Sequence, residues 1–594
     1  MRAVVAVAAL AIGVATLNTA YADTHGTCSA PVLLRDAHSS ATSTSSTLEG
    51  WTQLLRCAEV EKHSEDSLAT ATYNSTMSTI GYDQFIAKVD AQTYAAVPEH
   101  AAAAMGYIEG TLTAQSISDH LYNQIANAGF LGTDGNVNLT VVGGLFDWQI
   151  KHETWLIQML AQPPKGEEEL WRTTELLYTQ LAGMGKALDE SGVDIFGMSG
   201  WRAAMMANLV AEWDDIESAI ETEARPNWRN MTISAYAEAV AARDHCSAFV
   251  SLGQYNEELY FGHNMWWGFQ MLAPVYKTYV WGDESTVQMS SYAGALSSMD
   301  DFYSMSNSEQ QLAVMETTNN VYNTSLYDLL TPKSLYTWSR AMVANRLSTS
   351  GKQWVDLFAI HNSGTYNNMW MVVDYKKFTP QTAVEQESGL LWVAEQMPGL
   401  VEAHDESERL SYGSFYSYNQ AYFPKTRAYS GAVDNDLFWR ETYSVWSQSY
   451  QTNSRAYLFR TYGALASTLE GAQKLIRWNR WESDPVAKNM DDAYTQNTLA
   501  VNGGLASRGD LNPYDTSSGY GGPMNSVATN GMILSKHMIE EGAVRMVGGP
   551  TWDNQPPFRW SSAPEEIASV PHRGHNDQWQ FEWQTFRLRN ERAN

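Results

Sequence analysis

A change of period near residue 243 constrains this chain more than any other feature. From Leu48 to about Ala241 the reading is mostly helical. Apolar residues recur every three or four positions over Ala101–Gly129, Glu167–Leu188 and Gly200–Ile220. Beyond Cys246 the pattern shortens. β-Rich runs are predicted at Ser247–Leu252, Glu258–His263, Val314–Val321, Met369–Val373, Leu390–Glu395 and Arg455–Arg460, separated by Gly, Asn and Pro. Helices are predicted between them at Leu335–Leu347 and Leu465–Trp478. At 594 residues the chain exceeds what one core usually serves, so two lobes or one large layered domain are expected.

Charge narrows the partners. The formal net charge is −28, and no Lys/Arg run stands out that would neutralise phosphates, which argues against nucleic acid and against docking on anionic membranes. Arg2 is followed by an apolar run to Leu17 and by Ala20-Tyr21-Ala22, so residues 1–22 read as a cleaved signal peptide. After its removal no segment is long and apolar enough to anchor the chain, and a secreted or lysosomal lumenal location is expected. In that compartment the N-x-S/T acceptors Asn74, Asn138, Asn230 and Asn323 are candidate glycosylation sites.

The chain has three cysteines. An oxidising lumen would favour a cystine between Cys28 and Cys57, closing the Ser/Thr-rich stretch between them. Cys246 is left over, and such a residue is either a buried inert thiol or a reactive one. Its surroundings suggest a hairpin: Cys246–Leu252 as one strand, Gly253–Asn256 as the turn, Glu257–His263 as the return. If Leu252 faces Glu257, Cys246 faces His263, with Cβ atoms roughly 5 Å apart. A thiol and an imidazole would then meet, which is one way to lower a thiol pKa. A register shifted by two would leave them diagonal neighbours, and a core hairpin that happens to hold Cys and His remains the alternative.

The segment from Cys246 to Tyr279, with its Cys-Ser-Ala start and His263-Asn264-Met265-Trp266, resembles the nucleophile region of the phospholipase B-like family. The likeness continues in order through SSMDDFY (Ser297–Tyr303), METTNN (Met315–Asn320), NSGTYNNMWMVVDYK (Asn362–Lys376), PGLV (Pro398–Val401), SYNQAYF (Ser417–Phe423) and SRAYLFR (Ser454–Arg460). It extends through WESDP (Trp481–Pro485), SRGDLNP (Ser507–Pro513) and GPTWDNQPPFRWS (Gly549–Ser561), and the helical part resembles the family mainly at AAMGYIEGTLT (Ala103–Thr113).

That resemblance implies an α+β fold, a four-layered αββα sandwich of the N-terminal nucleophile hydrolase type with a largely helical N-terminal part. It implies cleavage between His245 and Cys246, giving chains 23–245 and 246–594 that stay associated. The freed α-amine, with a reference pKa of about 7.7–8.0, would act as base toward its own thiol. By resemblance Asn419 supplies an oxyanion-hole amide, His263 and Trp266 line the pocket, and Arg455 sits near the nucleophile. Thr317 would line the same cleft and Asn264 would orient the loop. Without the family, Asn419 reads as a turn residue and Arg455 as half of an ion pair. Met265 stands where the family has a small hydroxyl residue and Met369 where it commonly has Gln, so the surroundings become more apolar.

The expected activity is removal of fatty acyl groups from glycerophospholipids through a thioester, with an acylated lipid as the partner and no cofactor. An N-acyl amide hydrolase of the same mechanism is the enzymatic alternative, and a self-processed lumenal lipid-binding protein with little turnover is the other. No G-x-S-x-G elbow is present. Glu402–Glu406 and His572–Asp577 lack the i, i+4 histidines of a zinc helix and read as solvated loops, so no metal site is expected.

Overall fold

Gly106 and Gly183 set how closely the early helices pack. A Cβ on Gly106 would lie 1.7 Å from the Gln180 carbonyl oxygen, and one on Gly183 would lie 2.1 Å from that of Ala103. Helices Pro98–Asn127 and Glu168–Ser191 therefore meet backbone to backbone, an approach only glycine permits. The computed structural model describes residues 23–28, 68–241, 243, 246–282, 285–443, 449–452, 454–488, 500–501, 503–514 and 522–588. The expected leader (1–22), Cys57, the side chain of Cys28 and His245 lie outside the described residues.

The chain forms two compact units. The first comprises Met1–Trp213, Ala273–Met299 and Pro332–Leu347, and the second Asp214–Leu272, Asp300–Thr331 and Ser348–Asn594. Both take residues from either side of Cys246. Among the described residues no helix is long and apolar enough to cross a membrane.

The first unit is not as uniformly helical as the period suggests. Strand Ala69–Asn74 pairs antiparallel with Asp23–Cys28 and with Asp83–Val89. Asp83–Val89 runs parallel to Val275–Trp281, which pairs antiparallel with Ser285–Ser291. Asp83–Val89 alternates buried and half-buried residues, a period-two pattern too short to stand out between long helices. The predicted helix Gly200–Ile220 breaks into Gly200–Asn208, a 3₁₀ turn at Val210–Glu212 and Trp213–Ile220. Asn208 makes the break by turning its side-chain amide onto the carbonyls of Ala204 and Gly294, both at 2.9 Å. In this unit's interior Lys277 Nζ donates to Glu109 at 2.6 Å, and the Tyr279 hydroxyl donates to the other Glu109 oxygen at 2.6 Å.

The second unit carries the strands β1 (Ser247–Leu252), β2 (Leu259–Asn264), β3 (Phe302–Ser306), β4 (Gln311–Thr318), β5 (Asn368–Asp374), β6 (Leu391–Met397), β7 (Leu400–Asp405), β8 (Ser414–Ser417), β9 (Asn530–Ser535), β10 (Ala543–Gly548) and β11 (Gln584–Arg587). Its helices include α1 (Gly351–Ala359), α2 (Ser454–Tyr462) and α3 (Leu469–Ile476). β3 to β7 pair antiparallel in chain order. A second antiparallel set runs β8-β1-β2-β9-β10-β11.

Trp354 and Phe358 of α1 pack on Trp370 of β5, with centroids 5.3 and 4.9 Å apart. On the far side, Leu458, Phe459, Leu475 and Ile476 of α2 and α3 form one cluster with Phe249, Tyr260 and Ile533 of the second sheet. Between the sheets, the Thr317 hydroxyl of β4 lies 2.5 Å from that of Ser417 in β8. Contacts in this unit thus pass from helix to sheet to sheet to helix. The run Arg455–Arg460, expected as a strand, is helical. Arg455, Ala456, Leu458 and Phe459 are its buried residues, one face of a helix rather than alternate positions. Leu465–Trp478 begins as a 3₁₀ turn (Gly463–Ser467) before α3, whose start is capped by Thr468 Oγ1 accepting from Gly471 N at 3.1 Å.

Candidate functional site

The β1–β2 hairpin forms, but two residues out of the expected register. Leu252 pairs with Leu259 and Ala248 with His263, so Cys246, just before β1, is a diagonal neighbour of His263 rather than its opposite. The turn is longer than the four residues expected. Gly253 N donates to Glu258 O at 2.7 Å, and Tyr255 and Asn256 take φ of +53° and +56°, adding a 3₁₀ turn at Gln254–Asn256.

Cys246 is fully buried with φ of +88°, a region that a residue with a Cβ enters at a cost of about 1–3 kcal/mol. Its thiol donates to the Met265 thioether at 3.4 Å. Arg455 Nη1 donates to the Cys246 carbonyl at 2.6 Å and reaches Ser247 Oγ at 3.4 Å, while its guanidinium lies 4.3 Å over the Trp266 ring. Arg455 thus holds the backbone at Cys246. Asn264 accepts from Ser247 N at 3.2 Å and donates to the carbonyls of Ile476 and Leu505 at 2.5 and 2.8 Å. Trp266 Nε1 donates to the same Leu505 carbonyl at 3.1 Å. Cys246, Asn264, Trp266 and Arg455 are therefore one connected group.

His263, Thr317 and Asn419 form a second group around β4. His263 Nε2 lies 2.9 Å from the Glu316 carbonyl, and since a carbonyl only accepts, Nε2 carries the proton. Burial lowers the imidazole pKa to about 3, so the ring is neutral and Nδ1 is a lone pair with no partner. Asn419, at φ of +64°, donates from Nδ2 to Thr318 O at 2.8 Å and from its backbone to Thr317 Oγ1 at 3.4 Å. Met369 receives the Ser417 hydroxyl on its sulfur at 3.1 Å.

Sequence reasoning assigned no role to the acidic half of the site. Cys246, Asp301 and Glu316 each place one possible ligand atom within 4.8 Å of the other two, all buried. The Tyr366 hydroxyl contacts Asp301 Oδ2 and lies 2.9 Å from Glu316 Oε1. One hydroxyl has one proton to give, so one of the two carboxyls must itself be protonated. Burial drives Asp301 up to about 6, and burial followed by the Asp301 charge drives Glu316 well above the carboxylate range. Burial, then Glu316 and Asp301, keep the Cys246 thiol protonated. The available signal was a glutamate inside the apolar run Gln311–Thr318, where burial leaves a charge little to pair with.

Of the glycosylation candidates, Asn74 is buried, Asn138 caps the helix Leu139–Ala161, and Asn230 and Asn323 are exposed. A cavity of about 290 Å³ lies on Trp228, Arg229, Tyr322, Asn323 and Asp434, and Cys246 is not among its lining residues.

The sequence model of the family described as Phospholipase B matches residues 69–586. Phospholipase B-like protein D of Dictyostelium discoideum is 30% identical over 492 residues, covering 81% of each chain. Phospholipase B-like protein B of the same organism is 30% identical over 532 residues, covering 88% of this chain and 86% of its own. Phospholipase B-like 1 of Rattus norvegicus is 28% identical over 529 residues, covering 87% and 86%.

Proposed function

Because the chain belongs to the phospholipase B family, we propose that it is a latent acyl hydrolase whose nucleophile, Cys246, becomes a chain terminus by self-cleavage. The name of the family points to a hydrolase acting on lipid esters. The observation that carries the finer reading is the strained backbone at Cys246: a fully buried thiol at φ of +88°, its own carbonyl gripped by Arg455. A φ exists only while residue 245 is attached, so cleavage at that bond removes the strain.

In the processing step Sγ attacks the carbonyl carbon of residue 245, and the thiol proton passes to the departing Cys246 nitrogen. Water then cleaves the thioester, leaving a carboxyl on residue 245 and a free amine and thiol on Cys246. In turnover the amine, near pKa 7.7–8.0 when unperturbed, takes the thiol proton as Sγ attacks the acyl carbonyl. The alcohol leaves with that proton, and water hydrolyses the acyl-cysteine. A positive charge on Arg455, held beside the terminus, favours the neutral amine. Trp266 and Arg455 form one wall; Asn419 is our candidate for the oxyanion amide. The helix–sheet–sheet–helix contacts of the second unit are consistent with an N-terminal nucleophile sandwich. Lumenal or secreted residence completes this reading.

Gel analysis tests it. The mature protein should resolve into two chains, the larger starting CSAFV, and Cys246→Ala should stay uncut. The processed protein should release fatty acid from phosphatidylcholine, with N-acyl amides as the comparison substrate. A wild-type chain that remains single at acid and neutral pH overturns the proposal.

A further inference from the structure

Three buried ionisable groups meet here with a thioether at hand. The thiol of Cys246 and one oxygen each of Asp301 and Glu316 lie within 4.8 Å of one another. The Met265 sulfur is 3.4 Å from Sγ. Glu316 Oε2 is fully buried and meets no N–H or hydroxyl donor, although its twin oxygen meets Tyr366, so a proton held between Glu316 and Asp301 or a cation is what can satisfy it. A buried carboxylate oxygen left this way is costly unless a proton or a cation occupies the gap.

We propose that Cys246, Asp301 and Glu316 bind one borderline-soft divalent cation of the zinc type, with Met265 as a weak fourth donor, and that occupancy silences the thiol. The donor set decides the class of ion. One thiolate, two carboxylates and a thioether suit zinc, whereas magnesium and calcium take oxygen donors. Zinc binds sulfur at about 2.3 Å and carboxylate oxygen at about 2.0–2.2 Å, which puts tetrahedral donors roughly 3.5 Å apart. Shifts on the order of an ångström bring the three groups to that spacing. The ion displaces the protons that the pair and the thiol hold in its absence. Once bound, the Sγ electron pair is donated to the metal and is not available to attack a carbonyl. The silencing rests on Cys246 being the nucleophile; the binding does not.

The full chain, stripped with a chelator, is titrated with Zn²⁺ alone and in parallel with Co²⁺ alone. One ion per chain is expected, and the Co²⁺ form should show a near-ultraviolet sulfur-to-metal charge-transfer band. Cys246→Ala should abolish the band and stoichiometric binding. Glu316→Gln should weaken Zn²⁺ binding at least about tenfold, and Met265→Thr by a smaller factor. Should Glu316→Gln fail to fold, Cys246→Ala and Met265→Thr still decide. Sub-stoichiometric binding, a spectrum without the thiolate band, or binding unchanged in Cys246→Ala overturns the site. Fatty-acid release from phosphatidylcholine should fall as Zn²⁺ fills the site and return on chelation. A chain that binds zinc through its thiolate but never hydrolyses lipid keeps the site and sinks the functional reading. One that hydrolyses lipid without binding zinc does the reverse.

Discussion

The two units each bury a carboxylate cluster, and they satisfy it in opposite ways. In the first, Glu109 is matched by Lys277 and by the Tyr279 hydroxyl, so charge and donors balance inside the cluster. In the second, Asp301 and Glu316 share one tyrosine hydroxyl and face a thiol. A compensated pair is costly to break from one side, because removing either partner strands a buried charge. An uncompensated pair beside a thiol raises pKa values and keeps that thiol protonated. Glu395 lies between these extremes, because two backbone N–H groups, those of Tyr422 and Phe423 at 2.5 and 3.1 Å, point at its carboxylate.

Substitutions can break this contrast. The largest effect is expected at Cys246: Cys246→Ala should abolish both cleavage and lipid hydrolysis outright, read by gel and by fatty-acid release, since it removes the attacking atom. Next is Lys277→Met, which strands Glu109 in the interior. It should destabilise the protein by about 3–5 kcal/mol in urea unfolding, and Glu109→Leu added to it should recover much of that loss. If Lys277→Met instead costs nothing, the first cluster is not the compensated one.

Glu395 tests the middle case through pH. Burial raises its carboxyl to about 8 from an ordinary value of 4.5, ahead of the lowering by Tyr422 and Phe423 N–H and by Thr426 and the raising by Glu402. A folded-state pKa above the unfolded one means that the native chain holds the extra proton. Its stabilisation is complete below about 4.5 and is lost as pH rises toward 8. Denaturation between pH 5 and 8 should therefore show stability falling, with this group contributing on the order of 2 kcal/mol. Glu395→Gln should remove that share of the slope. The smallest effect is expected for Glu316→Gln in metal-free buffer. A neutral amide replaces a group already kept neutral, so stability should change by no more than about 1 kcal/mol. A loss as large as that of Lys277→Met would mean that Glu316 is ionised and structurally paired.

Much of the region around Cys246 was legible in sequence because its signals are local. The strand Ser247–Leu252 carries its own apolar run and Gly253 marks its end, and the helix Pro98–Asn127 shows its period over thirty residues. The hairpin register was not legible. A turn of two further residues costs little in sequence terms, yet moves Cys246 from facing His263 to a diagonal. Arg455–Arg460 misled for a related reason: aromatic and apolar residues in a short run suit a strand or a buried helix equally, and only packing against β1, β2 and β9 separates them. Asp83–Val89 was hidden because its pairing partner, Val275–Trp281, lies far along the chain.

The sequence by itself determined the family, the mixed helix and strand content, and the one cysteine whose neighbours carry a nucleophile's pattern. These follow from order and spacing along the chain. Only the tertiary structure decided that Arg455 grips the Cys246 carbonyl, that Met265 touches the thiol, and that Asp301, Glu316 and Tyr366 converge on it. Those residues come from a helix, loops and strands tens to hundreds of positions apart. Their proximity is set by two sheets packing face to face, and their pKa values by the burial which that packing imposes.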